Sequence, residues 1–373
     1  MKVITLIGTR PEIIKLSRVM YKLDLITDHI IVHTGQNYDY ELNKIFFDDL
    51  GIRKPDYFLE AASGGAVETI ANVLLKVDEV FEKEKPDALL LLGDTNSGLG
   101  VISAKKRKIP IFHMEAGNRC FDQRVPEEIN RKIIDHLSDI NMPYSSIARE
   151  YLLREGIPPD QIIKTGSPMK EVLDYYMPKI KQSDALQRLS VEKGKYFVLS
   201  SHREENVDQE HKLRSLSLVL DSICKVYNLP IIFAVHPRTV IRIEKFGIKL
   251  NPLVQLMKPL GFLDYVQLQM NSFCVISDSG TISEESGILN FPAINIRDAH
   301  ERPEASEEGI VIMTSLDMDI VLSSIKYVTE FKGNEANEKV DDYNRSNVSD
   351  KVVKIILGYS NFVQRKVWYN DKR

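Results

Sequence analysis

In Ala88-Leu89-Leu90-Leu91-Leu92-Gly93-Asp94-Thr95, five apolar residues run without alternation into a glycine and an acid. Such a run reads as a strand covered on both faces, as in a parallel sheet flanked by helices. The next run, Ile109-Pro-Ile-Phe-His113-Met-Glu115-Ala-Gly117, ends the same way and leads on to Pro126-Glu127-Glu128-Ile-Asn-Arg131. Carboxylates gathered at strand ends, with one histidine and several arginines nearby, suit moving a proton on a bound anion. Open α/β sheets bind ligands outside the carboxyl ends of their strands.

The pattern extends in both directions. The first half offers strands at Lys2–Ile7, His29–Val32, Ala88–Leu92, Ile109–His113, Ile140–Pro143 and Ile162–Lys164. The second offers Tyr196–Leu199, Ile231–Val235, Val254–Met257, Cys274–Ile276, Ala293–Ile296 and Ile310–Met313. Helix-period segments between them predict βαβ units and an α/β fold with parallel sheets. The polar stretch Met177–Lys195 reads as a linker, giving domains over 1–175 and 176–350. Gly333–Asp350 reads as a surface loop. A final helix, from Lys351 to about Trp368 within the tail 351–373, has an apolar face of Val352, Ile355, Ile356, Tyr359, Phe362 and Val363. That face predicts packing back onto the first domain.

Composition narrows the function. The chain has 373 residues, 43% of them hydrophobic, and a net charge of −4. It is globular, and it lacks the basic footprint of a nucleic-acid binder. Its three cysteines, Cys120, Cys224 and Cys274, form no CxxC pair. That argues against a disulfide framework and fits a reducing cytoplasm. No apolar stretch reaches the roughly 18 residues of a membrane span, and the apolar start is too short for a signal segment. A cytoplasmic protein without membrane partners is expected.

Several constellations carry chemistry. Gly8-Thr9-Arg10-Pro11-Glu12 joins the first strand to a helix whose N-terminus attracts anions, with Arg10 and Lys15 adding charge. It is not a GxGxxG fingerprint, so a dinucleotide cofactor is disfavoured. Ser277-Asp-Ser279-Gly280-Thr-Ile-Ser-Glu-Glu285 also leads from strand to helix. Gly280 lets backbone approach a phosphate, Ser279 can bind its oxygens, and Glu285 can accept from ribose hydroxyls. Ordinary helix capping accounts for both turns equally well. Asp94, Glu115 and Glu127 are candidates for acid–base work. Asp94 and Glu127 also suit helix starts, whereas a buried strand-end Glu115 is costly unless paired. A carboxylate of ordinary pKa is a weak base for a carbon acid, so burial or like charge would have to raise one of them, Asp94 or Glu115 before Glu127. His202 ends the first strand of the second half and can donate to a phosphate or a leaving oxygen. His236 and Arg238 form a similar but weaker signal. Arg302 sits in a charged loop. His113-x-Glu115 has no further ligand at metal spacing, so no metal is expected.

Taken together and in order, GTRPEIIK, LLGDTN, HMEAGNR, RVPEEINR, TGSP, SHREEN, HPR, SDSGTISEES and AHERPE resemble the non-hydrolysing UDP-N-acetylglucosamine 2-epimerases. The resemblance runs to about residue 315 and includes the tail helix. It implies two Rossmann-like doubly wound domains facing across a cleft in the GT-B arrangement, a UDP-sugar substrate, no cofactor and a homodimer. It implies catalytic roles for Asp94, Glu115, Glu127 and His202. It places Arg10, Lys15, Ser279, Gly280, Glu285 and Arg302 around the UDP. It also implies anti elimination of UDP through a 2-acetamidoglycal. Departures from the commonest pattern at Gln36-Asn37-Tyr38, Asn118 and His202-Arg203-Glu204 look like the branch acting on UDP-2-acetamido-2,6-dideoxy-L-talose. That branch makes UDP-N-acetyl-L-fucosamine for capsule or O-antigen. Gln36, Asn118, Arg203, His236 and Arg238 are its candidate pocket residues. The rival readings are a UDP-GlcNAc/UDP-ManNAc enzyme, a hydrolysing epimerase, a glycosyltransferase of GT-B shape, and a nucleotide-sugar sensor without turnover.

Overall fold

The computed structural model describes residues 1–35, 40–201, 207, 209–235, 237–298, 302–331 and 340–369, with backbone alone at 40–43, 237 and 238. The chain divides into two compact units, one of residues 1–175 with 341–373 and one of residues 176–340.

The first unit is built on β1 (Lys2–Ile7), β2 (Asp28–His33), β3 (Tyr57–Phe58), β4 (Ala88–Leu92), β5 (Ile111–Met114) and β6 (Ile140–Met142). They form a parallel sheet in the order β3-β2-β1-β4-β5-β6. Helices α1 (Arg10–Ile26), α2 (Tyr40–Leu50), α3 (Ala66–Glu84), α4 (Val101–Lys106), α5 (Glu127–Leu137), α6 (Ser146–Arg154) and α7 (Met169–Lys181) alternate with or follow the strands. Ile4, Leu6, Leu89 and Leu91 pack with Val73, Val77 and Phe81 of α3. Val3, Ile7, Leu90 and Leu92, pointing the other way, are buried as well. That is why the strands carry no alternation: each side chain leaves water, contributing about 1.5–3 kcal/mol.

The second unit takes in the end of α7 from Tyr176 and then the short helix α8 (Ala185–Arg188). It then repeats the plan with β7 (Phe197–Ser200), β8 (Ile231–Ala234), β9 (Val254–Met257), β10 (Cys274–Ser277), β11 (Ala293–Asn295) and β12 (Ile312–Met313). Their order, β12-β11-β10-β7-β8-β9, is the first sheet's order read from the opposite edge. Phe197 and Leu199 join one apolar cluster and Tyr196 and Val198 another, so this sheet too is covered on both faces. In each sheet the winding reverses beside its first strand, between β1 and β4 and between β7 and β10. That reversal opens a crevice at the strand ends. The expected α/β class with parallel sheets is borne out.

Four local expectations differ from the structure. β5 starts at Ile111, because Pro110 has no N–H to give the ladder, although its carbonyl accepts from Leu89. Ile162 forms a single bridge to Asn141 instead of opening a strand. Met177–Lys195 is substantially helical: α7 runs through Pro178 to Lys181, and α8 follows. Its polarity marks exposed helix faces, while Ile180 and Ala185 are buried. Residues 333–339 of the expected loop lie outside the described residues, and the last helix begins at Val348.

That helix, Val348–Trp368, packs against α1. Val352, Ile355, Ile356 and Val363 are buried. Lys22 meets Asp350 at 2.6 Å, and the Ser349 N–H donates to Glu171 at 2.8 Å. Among the described residues, no helix is long and apolar enough to cross a membrane.

Candidate active site

The site residues of the first unit hang from the ends of β1, β4 and β5. Thr9 caps α1 in extended backbone, and Thr9 and Glu12 form a reciprocal capping box. Arg10 is the first helical residue, and its guanidinium lies 5.4 Å from the Phe46 ring. After β4, Gly93 is fixed by β5: its N–H donates to the Met114 carbonyl, and its carbonyl accepts from His113 Nε2 at 2.8 Å. Asp94 therefore leaves the sheet from a turn that β5 holds.

Glu115 follows β5 with φ of 64°. A non-glycine residue in that left-handed region costs about 1–3 kcal/mol, a strain that recurs at functional sites. Two residues on, Gly117 has φ of 82°, and a Cβ there would fall 2.4 Å from the Ala148 carbonyl oxygen. Beneath the turn lies Asp135, wholly buried. It accepts from the Gly117 N–H and from Arg119 at 2.7 Å, and His113 Nδ1 lies 2.9 Å away, outside hydrogen-bond alignment. Burial works to raise its pKa, but His113 and Arg119 outweigh burial and hold it below the ordinary value. The Glu115 turn thus rests on a buried charge cluster.

Each candidate carboxylate on the strand ends meets a cation. Glu115 pairs with Lys15 at 2.6 Å and accepts weakly from Asn118 Nδ2 at 3.4 Å. Lys15 is buried, its ammonium 5.4 Å from the Tyr144 ring. Asp94 pairs with Arg131 of α5 at 2.8 Å. Glu127 opens α5 four residues before Arg131, so both lie on one helix face. The structure thus joins Lys15, Glu115 and Asn118 in one cluster and Asp94 with Arg131 in another. Lys15, which the resemblance places around the UDP, here pairs with a carboxylate.

In the second unit β10 is followed by the acid Asp278, then Ser279, Gly280 and Thr281. The Ser279 N–H donates to Ser277 Oγ at 3.0 Å, and Ser279 Oγ lies 3.0 Å from Thr281 Oγ1. Asp278 is fully buried and accepts from Ser201 at 2.9 Å. Gly280 lines a small pocket with Asn295, Arg297 and Arg302. Arg302 is no solvated loop residue: it is buried and ion-paired with the fully buried Glu284. Glu285 accepts from Gln269 at 2.6 Å. Gln36, His202, Arg203 and His236 lie outside the described residues, as does the side chain of Arg238.

Two residues were missed in the sequence. Arg131 stood in a quoted motif without a role. Glu12 was passed over although Thr9-x-x-Glu12 is a capping-box pattern. Its carboxyl is buried, and burial pushes its pKa up to about 7. Hydrogen bonds from Thr95, Gly8 and Thr9 oppose that rise, and nearby Asp94 adds to it. Among the described residues, no group of three or more His, Cys, Asp or Glu could hold a metal ion.

The family model for UDP-N-acetylglucosamine 2-epimerase matches residues 22–357. The chain belongs to this family. Its members are isomerases acting on UDP-sugars. A structure of the Rickettsia bellii UDP-N-acetylglucosamine 2-epimerase is 53% identical, with a TM-score of 0.92 over 99% of this chain and 100% of that one. The Methanocaldococcus jannaschii UDP-GlcNAc 2-epimerase, in complex with UDP-GlcNAc and UDP, is 34% identical, with a TM-score of 0.89 over 96% and 100%. A Pseudomonas aeruginosa relative, UDP-2,3-diacetamido-2,3-dideoxy-D-glucuronate 2-epimerase, is 35% identical over 87% of this chain and 92% of its own.

Proposed function

We propose that the chain inverts C2 of a UDP-2-acetamido sugar by anti elimination and re-addition of UDP. A base takes the C2 proton, and the C–H electron pair becomes the C1–C2 double bond. The C1–O bond breaks, with its pair leaving on the β-phosphate oxygen. A 2-acetamidoglycal and UDP result. A proton then reaches the other face of C2 as the phosphate oxygen returns to C1. Substrate and product have the same atoms, and no electrons are gained or lost.

The observation that carries this reading is the pair of carboxylates on neighbouring strand ends, each beside its own cation: Asp94 with Arg131 and Glu115 with Lys15. Two faces of C2 need two proton-handling groups, and Asp94, Glu115 and Glu127 are proposed for them. No carbonyl at C1 acidifies the C2 proton, so stabilising the departing phosphate must drive the step. Arg10, His202 and the Ser279-Gly280 turn are proposed for that stabilisation, Arg302 for the UDP and Glu285 for the ribose.

For the sugar we propose UDP-2-acetamido-2,6-dideoxy-L-talose, interconverted with UDP-N-acetyl-L-fucosamine for capsule or O-antigen. The support is sequence: Gln36-Asn37-Tyr38, Asn118 and His202-Arg203-Glu204. A second reading, UDP-GlcNAc, is favoured by the names of the Rickettsia and Methanocaldococcus relatives. The Pseudomonas relative, named for a third sugar, argues that identity near one third does not fix the sugar. A cytoplasmic homodimer completes the proposal.

Proton NMR in D2O tests it, with UDP-N-acetyl-L-fucosamine and UDP-GlcNAc in separate tubes. Deuterium entering C2 with a C2 epimer is expected, and the tube in which it appears names the sugar. Intact sugars in both tubes would overturn the reading. Free UDP with free sugar would indicate hydrolysis.

A further inference from the structure

Glu12 makes more bonds than a helix cap needs. A capping box requires only the Thr9 N–H. Here Glu12 Oε2 accepts from Thr9 N–H at 2.9 Å and also from Gly8 N–H at 2.5 Å, while Oε1 accepts from the Thr95 hydroxyl at 2.7 Å. The first two donors belong to the turn after β1, which carries Arg10. The third is the residue after Asp94. The two turns are pressed together elsewhere too: a Cβ on Gly8 would fall 2.0 Å from Ser97 Oγ and 2.4 Å from Thr34 Oγ1. Those two hydroxyls themselves lie 2.7 Å apart. The carboxyl is only 3% exposed. It has given up water for this link, and a buried carboxyl is costly unless its hydrogen bonds are made.

We infer that Glu12 is a positioning residue for Asp94, its carboxyl tying the turn after β1 to the turn after β4 so that Asp94 keeps its place beside Arg131. The inference rests on the proposed epimerase reading for its activity arm and on the geometry alone for its structural arm. The charged groups gathered here are Asp94 on the β4 turn, Arg131 of α5 bound to it, and Arg10 and Lys15 on the helix of Glu12 itself. Burial raises the Glu12 pKa to about 7, and the nearby Asp94 adds to that rise, so the two carboxyls are electrostatically coupled.

The test compares Glu12→Gln, Glu12→Ala and Thr95→Val with the wild type, following C2 deuterium incorporation from about pH 5.5 to about pH 9. Glutamine can accept from both backbone N–H groups and donate to the Thr95 oxygen, so it keeps the link without the charge. Glu12→Gln is expected to keep kcat within about threefold at the acid end and to lose an ionisation near neutrality that the wild type shows. Glu12→Ala is expected to lower kcat by about tenfold or more with KM little changed, because small misplacements of reacting groups are costly. Thr95→Val, a gentler change should the alanine variant fail to fold, is expected to fall between. Amide hydrogen exchange supplies a readout free of turnover: residues 93–98 should exchange faster in Glu12→Ala and Thr95→Val. Wild-type kcat and pH profile in all three variants, or unchanged exchange at 93–98, would overturn the inference. A wild type that incorporates no deuterium would sink the epimerase reading instead, and amide exchange would then decide the link by itself.

Discussion

The two sheets share one winding order and have opposite chemistry at the point where it reverses. In the first unit the reversal between β1 and β4 is furnished with carboxylates, Asp94 beside Arg131 and Glu115 on Lys15. In the second, the reversal between β7 and β10 is furnished with Ser279, Gly280 and Thr281, and its acid, Asp278, is buried and accepts from Ser201. Topology supplies the crevice in both cases. The residues in the two or three positions after each strand decide what it does. One end is suited to holding protons, the other to holding phosphate.

The sharpest way to break that contrast is to neutralise the acids. Asp94→Asn and Glu115→Gln should each lower turnover by about 10²–10⁴-fold while UDP binding, measured by calorimetry, stays within about threefold. Ser279→Ala should do the reverse and weaken UDP binding first. If the acid variants lost UDP binding and the serine variant did not, the division of labour would be wrong. The buried ion pairs sharpen the contrast. Arg302→Met removes an ion-pair partner from the fully buried Glu284 and should cost about 3–5 kcal/mol in denaturant unfolding. Lys15→Met should lower turnover as well, because its partner is a proposed catalytic group.

A third test uses pH. The folded-state pKa of Glu12 is raised, so its contribution to stability is present below its ordinary value of 4.5 and is lost as pH rises through about 7. At about 1.4 kcal/mol per pH unit, the loss is on the order of 3 kcal/mol. Unfolding of Glu12→Gln by urea should show a flatter pH dependence over that window than the wild type. An unchanged slope would remove Glu12 as its source. The smallest effect belongs to the half-exposed pair Lys22–Asp350: Asp350→Asn should cost under about 1 kcal/mol and leave turnover untouched.

How much of this could be read in the sequence follows from burial. β4 and β10 were plain because strands buried on both faces must be apolar throughout. β3 was invisible because Tyr57–Phe58 is too short to show a period. Asp94 and Glu115 were found because an acid closing an apolar run is conspicuous. Glu12 was not, because Thr-x-x-Glu reads the same whether the box faces water or a second turn. Arg302 was placed at the UDP by resemblance alone; its ion pair was hidden because its partner, Glu284, is 18 positions earlier and reaches it only through the fold. His113 had no role in the sequence beyond a metal reading already set aside, and its Nε2 holds the Gly93 carbonyl.

The closing helix, Val348–Trp368, belongs to the unit that the chain begins. During synthesis, residues 176–340 are therefore complete before the first unit can be. Until this helix has been made, the surface of α1 that it covers stays bare, and the unit that carries the acids has an uncovered apolar face.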